Sequence, residues 1–144
     1  MSVLVVGVSH RTATLGLLER FAVSSDDVAK LATAVVETQH VREALVLTTC
    51  NRVEVYAEVE RFHGSVEDVT MLLAAQSGQP VEQLIPAVYV HYDEAAVAHL
   101  FTVAAGLDSM VIGEAQILGQ VREALRRGQG DETVGPALNA LFQQ

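Results

Sequence analysis

The chain has 144 residues, half of them hydrophobic and 19% charged, with a formal net charge of -9. That is enough apolar chain for a domain with its own core, and too little polarity for a disordered segment. The acidity excludes a broad basic surface that grips nucleic acid through its phosphates, though not a small basic patch.

"VLVVGV" (3–8) reads as a buried strand, "SHRTAT" as a polar loop and "LGLLERFA" as a short helix. Ser24 or Ser25 caps the next helix, with Asp26 and Asp27 in its first turn and Val28, Leu31, Ala32, Val35 and Val36 on one face. "EALVLTT" (43–49) is a second buried strand. From Val53 the pattern alternates: Val53, Val55, Ala57 and Val59 point one way, Glu54, Tyr56, Glu58 and Glu60 the other, as in a strand with one wet face. Ser65 caps a helix that Gly78 ends, and "AVYVHY" (87–92) is a fourth strand. The order β-α-β-β-α-β makes this an α+β chain of the ferredoxin-like kind, an antiparallel sheet with two helices on one face. Additional C-terminal helices follow: one from Asp93 to about Ala104, one from Glu114 to Arg127 stopped by Gly128, and one begun by "PALNALFQQ". Residues 1–92 are therefore expected to form the core and 93–144 a helical extension, truncated mid-pattern.

The one cysteine, Cys50, cannot form an internal disulfide, so a reducing cytoplasm is the expected compartment. The N-terminus lacks the basic region of a signal peptide, and no stretch approaches the ~20 apolar residues of a membrane span. Cys50 sits at a turn, between Thr49 and Asn51-Arg52. A neighbouring cation favours the thiolate, the form that attacks acyl groups. A strand-end filler beside a solvated Arg52 is the equally simple alternative. Glu114 falls on the apolar arc of its helix (Ile117, Leu118, Val121, Ala124, Leu125), with Gln116 and Gln120 sharing a flank. Such a carboxylate either binds something or caps the helix. His99, at the edge of an apolar face, is either a packed core residue or the acid/base neighbour that a cysteine nucleophile needs. The five histidines show no metal-ligand spacing, so no metal is expected. There is no G-x-G-x-x-G after a strand, so a redox cofactor would bind elsewhere.

"VGVSHRTA" (6–13), "TTCNRVEVY" (48–56) and "GLDSMVIGEAQILGQVREA" (106–124) resemble, in order and spacing, the N-terminal signatures of the glutamyl-tRNA reductases. The resemblance implies an enzyme of tetrapyrrole synthesis that uses glutamyl-tRNA(Glu) and NADPH. Cys50 matches the nucleophile, whose thioester NADPH reduces to glutamate-1-semialdehyde, and His99 matches a histidine important for activity. Thr49, Asn51, Arg52, Ser109, Glu114, Ala115, Gln116 and Gln120 match substrate-binding positions. Arg52 would suit the glutamyl carboxylate and Glu114 the ammonium. Thr14 stands where the family usually has proline, which leaves the entry to the first helix open. The resemblance also implies a Rossmann NADPH domain and a helical dimerisation domain absent from this chain, a homodimeric full-length protein, and glutamate-1-semialdehyde aminomutase as a partner. Hydride transfer is then not expected of this chain alone. A cysteine-dependent acyltransferase or thioesterase acting without tRNA, and a non-enzymatic ferredoxin-like ligand-sensing module, are the alternatives.

Overall fold

The computed structural model describes residues 2–106 and 116–143. Strands β1 (Ser2–Ser9), β2 (Val41–Thr49), β3 (Arg52–Val59) and β4 (Tyr89–Tyr92) form one sheet in the order β2-β3-β1-β4, every neighbouring pair antiparallel. Among the described residues the helices are α1 (Leu15–Phe21), α2 (Ser25–Val36), α3 (Phe62–Ser77), α4 (Val81–Leu84), α5 (Glu94–Ala104), α6 (Gln116–Gly130) and α7 (Pro136–Phe142).

Local chemistry explains most of the boundaries. Thr14 caps α1, its hydroxyl accepting the Leu17 N–H at 3.2 Å, so threonine opens this helix without a proline. Ser24 takes the N-cap position of α2, but its hydroxyl donates to Asp27 instead of accepting a backbone N–H. Gly78 ends α3 in the left-handed conformation, φ 71°. Three expectations shift. α3 starts at Phe62, which puts Ser65 inside the helix and buries it. β4 starts at Tyr89, because Pro86 sits in a 3-10 turn at Ile85–Ala87. α6 runs through Gly128 to Gly130. Gly128 serves close approach there: a Cβ would lie 2.3 Å from Val134 Cγ2, and its carbonyl accepts the N–H groups of Thr133 and Val134.

The sheet is covered on both faces. One face packs Leu4, Val6, Val8, Val46, Val53 and Val55 against α1–α4, through residues such as Phe21, Leu31, Val35, Val69, Leu73 and Leu84. The opposite face packs Val5, Leu45, Leu47 and Tyr56 against Ala96, Leu100 and Val103 of α5, Ile117, Val121 and Ala124 of α6, and Leu138 and Leu141 of α7. The expected pair α2 and α3 does share one face, joined there by α1 and α4. The wet face expected for β3 is corrected: every residue of that strand is buried. The reason lies in α5, α6 and α7, whose apolar stripes need a surface, and the second face of the sheet supplies it. Leu118 departs from the expected arc of α6 and remains exposed.

Candidate active site

The β2–β3 ladder closes with Thr49 opposite Arg52, so Cys50 and Asn51 are the two residues of a tight hairpin. The Thr49 hydroxyl accepts the Asn51 N–H at 3.0 Å. The Asn51 carbonyl accepts the His10 N–H at 2.9 Å, which holds the loop after β1 against the turn. Inside that loop Ser9 Oγ accepts the Arg11 N–H and Thr12 Oγ1 accepts the Ser9 N–H. The first and second sequence motifs therefore form one corner of the molecule. Cys50 is exposed there as a free thiol.

Behind the turn, a polar network lies under α5. Strand register sets its rows: Arg52 opposite Thr49 and Ser9, then Leu47–Glu54–Gly7–Tyr89, then Leu45–Tyr56–Val5–His91. The Arg52 guanidinium is turned inward, 1% exposed, with Nη1 3.2 Å from Glu54 Oε2. Glu54 is fully buried and is also bonded by the Tyr56 hydroxyl (2.9 Å), the Tyr89 hydroxyl and Nε2 of His99. His99 stacks on His91, ring centroids 4.4 Å apart, and leans on Tyr89. Burial pushes the Glu54 carboxyl up. The hydrogen bond and charge of His99, the charge of Arg52 and the Tyr89 hydroxyl outweigh it, and the group stays below the usual carboxylate range. Burial first, then the Glu54 charge, raises both tyrosine hydroxyls, which remain donors.

Gly7 makes this convergence possible. It lies between Glu54 and Tyr89 in its row, and a Cβ there would sit 2.8 Å from Glu54 Cγ and 2.7 Å from the Val53 carbonyl. With no side chain in the middle strand, the Glu54 carboxylate can reach across it to β4 and α5.

Of the site residues read from sequence, Thr49, Cys50, Asn51 and Arg52 gather at the hairpin, and His99 joins them through Glu54 and Arg52. Arg52 is a buried ion-pair partner and not a solvated side chain. Gln120 lines a cleft of about 140 Å³ with Leu47 and Thr48, two residues before Cys50, and with Ser25, Val28 and Arg127. Ser109, Glu114, Ala115 and the side chain of Gln116 lie outside the described residues. Sequence reasoning missed Glu54, Tyr56, Tyr89 and Gly7. The available signal was three amphipathic C-terminal helices with no sheet face assigned to them. Among the described residues the sheet is antiparallel throughout, so it makes no switch-point crevice of the kind in which parallel strands hold a dinucleotide. Among the described residues no group of three or more His, Cys, Asp or Glu could hold a metal ion.

Residues 6–144 match the family described as glutamyl-tRNA(Glu) reductase, N-terminal domain. The chain is 58% identical over its whole length to glutamyl-tRNA reductase 1 of Nocardioides sp., covering 34% of that protein. It is 52% identical to glutamyl-tRNA reductase of Streptomyces coelicolor, covering 25% of it. The solved structure of glutamyl-tRNA reductase from Methanopyrus kandleri superposes with a TM-score of 0.79 at 33% identity, over 98% of this chain and 31% of that one. The chain thus spans between a quarter and about a third of the length of these relatives. With its first two motifs folded into one corner around the cysteine hairpin, the chain belongs to the family of glutamyl-tRNA reductase N-terminal domains.

Proposed function

We propose that this chain carries the acyl-transfer half of a glutamyl-tRNA reductase of tetrapyrrole synthesis. The Cys50 thiolate attacks the ester carbonyl of glutamyl-tRNA(Glu). The ester C–O bond breaks, the 3′-terminal ribose oxygen leaves and takes up a proton, and the glutamyl group remains as a thioester on sulfur. One observation carries this reading: an exposed thiol on a two-residue turn, set against a buried Arg52–Glu54–His99 network. Glu54 fixes the His99 ring, which makes His99 the candidate for moving the proton to the leaving oxygen. Thr49, Asn51, Arg52 and Gln120, together with Ser109, Glu114, Ala115 and Gln116, are the proposed substrate-binding set.

The family's cofactor, NADPH, supplies hydride to the thioester when bound. We assign its binding, and homodimerisation, to the parts of the relatives beyond the matched segment. Glutamate-1-semialdehyde, the reactive aldehyde product, suits direct hand-over to an aminomutase, and the cytoplasm suits a free thiol. No helix among the described residues is long and apolar enough to cross a membrane. We read the sheet order as a split βαβ, ferredoxin-like unit over 1–92, to which 93–144 adds the helices of the second face.

Glutamyl-tRNA labelled in the glutamyl group tests the reading. Label should attach to the protein, be released by hydroxylamine and fall to background in Cys50→Ser. Labelling that persists in Cys50→Ser removes the nucleophile. Equal labelling from a small glutamyl thioester, with none from tRNA, points to an acyltransferase instead.

A further inference from the structure

Away from the hairpin, the opposite end of the β2–β3 pair buries two acids side by side. Glu43 and Glu58 are direct cross-strand partners, 6% and 3% exposed, so their side chains leave the same face of the sheet side by side. Glu43 also accepts three backbone N–H groups at the start of α7: Gly135 at 2.8 Å, Leu138 at 2.9 Å and Ala137 at 3.2 Å. Gly135 permits the approach, since a Cβ there would lie 2.9 Å from the Glu43 carboxyl carbon. Oε1 of Glu58 is buried with no hydrogen-bond donor from the rest of the described chain, a need that a proton shared with Glu43 meets. A cavity of about 580 Å³, lined in part by Arg42, Glu132 and Thr133, brings solvent to the pair.

We propose that Glu43 and Glu58 share one proton and act as a pH-sensitive clasp on α7, tight in mildly acidic solution and loose above neutrality. Two adjacent carboxylates cannot both ionise cheaply, whereas one carboxylate at a helix N-terminus is well placed. The hydrogen bond to Glu43, then burial and the Glu43 charge, push the Glu58 carboxyl up to about 7. Arg42, itself paired with Glu60, and the amino-terminal charge pull it back. Glu132 faces the same cavity from the loop before α7. Burial pushes Glu43 up, but the Glu58 hydrogen bond and the α7 N–H groups more than offset it, and Glu43 stays below the usual range. The signs are opposite. The raised group stabilises docking below an ordinary carboxylate pKa and loses that contribution as pH rises through about 7. The lowered group stabilises docking above the ordinary value and fails only as pH falls through its folded value. α7 also touches the polar network: Phe142 packs edge-on to Tyr56, centroids 5.0 Å apart, and Tyr56 donates to Glu54. Loosening α7 therefore uncovers one of the donors that hold Glu54.

Hydrogen exchange of the amides of Gly135, Ala137 and Leu138, corrected for intrinsic rates, reads the clasp directly. Protection should fall several-fold, at most about thirtyfold, between pH 5.5 and pH 8 in the wild type. In Glu58→Gln the neutral amide donates to Glu43 at every pH, so the profile should be flat across that range. A flat wild-type profile, or an unchanged fall in Glu58→Gln, overturns the proposal. Should the variant not fold, a carbon-13 carboxyl titration of wild-type Glu58 decides: a midpoint near 7 supports the clasp, and an ordinary glutamate midpoint ends it.

Discussion

Strand β3 shows one face to α1–α4 and the other to α5–α7, and the two faces are built from different chemistry. Val53, Val55, Ala57 and Val59 enter an aliphatic core, where contact area does the stabilising. Arg52, Glu54, Tyr56 and Glu58, which alternate with them, bring buried hydrogen bonds and an ion pair into the second core, where Tyr56 also packs with Val5, Leu45 and Leu47. Apolar packing tolerates volume-conserving exchange, whereas a buried charge tolerates no missing partner. The first face supplies the rigidity, and the second spends some of it on holding charged groups away from water. The cysteine hairpin stands at the end of both.

The largest test of that contrast is Glu54→Gln. It removes the buried carboxylate that Arg52, Tyr56, Tyr89 and His99 all bond, and should lower unfolding free energy by about 3–5 kcal/mol in urea titration. It should also remove part of the acid sensitivity. The Glu54 carboxyl lies below its usual range, so its contribution is present above the ordinary carboxylate pKa and is lost as pH falls through the folded value. If Glu54→Gln were as stable as the wild type, the two faces would not differ in kind. Gly7→Ala comes next. Its new methyl meets the Glu54 stem and the Val53 carbonyl, so we expect a loss of about 3 kcal/mol, at the upper end of overpacking costs, together with slowed protein labelling by glutamyl-tRNA. Equal stability with full labelling would mean that the gap in β1 is not needed. The smallest effect belongs to Tyr89→Phe. It removes one of several donors to Glu54 and should cost about 1.5 kcal/mol, the lower range for a hydrogen bond to a charged group. Urea midpoints at constant m-value would check it, and no shift would take Tyr89 out of the network.

Much of this arrangement was legible in the residues. Alternation in 53–59 gave the strand, the two short runs on either side of Cys50 gave the hairpin, and Gly78 gave a helix end. What escaped was the identity of the medium on the polar side of β3. Period-two alternation says that two faces differ, but not whether the polar one meets water or other polar groups. Glu54 and Tyr56 read as solvent-facing for that reason, and Arg52 as a cation for the thiol or the substrate, not as the partner of a buried glutamate. Their partners Tyr89 and His99 lie 35 and 45 residues along the chain from Glu54, too far for any local pattern to announce them. Gly128 misled in a similar way: a glycine near a helix end suggests a stop, yet here it makes room for Val134.

The gap at Gly7 bears on how such a centre could be rebuilt elsewhere. Copying cysteine, arginine, glutamate and histidine onto a designed sheet would give a strained and slower centre if the neighbouring strand carried even one methyl group at the crossing point. The blueprint includes an empty place, and a catalogue of reactive side chains would leave it out.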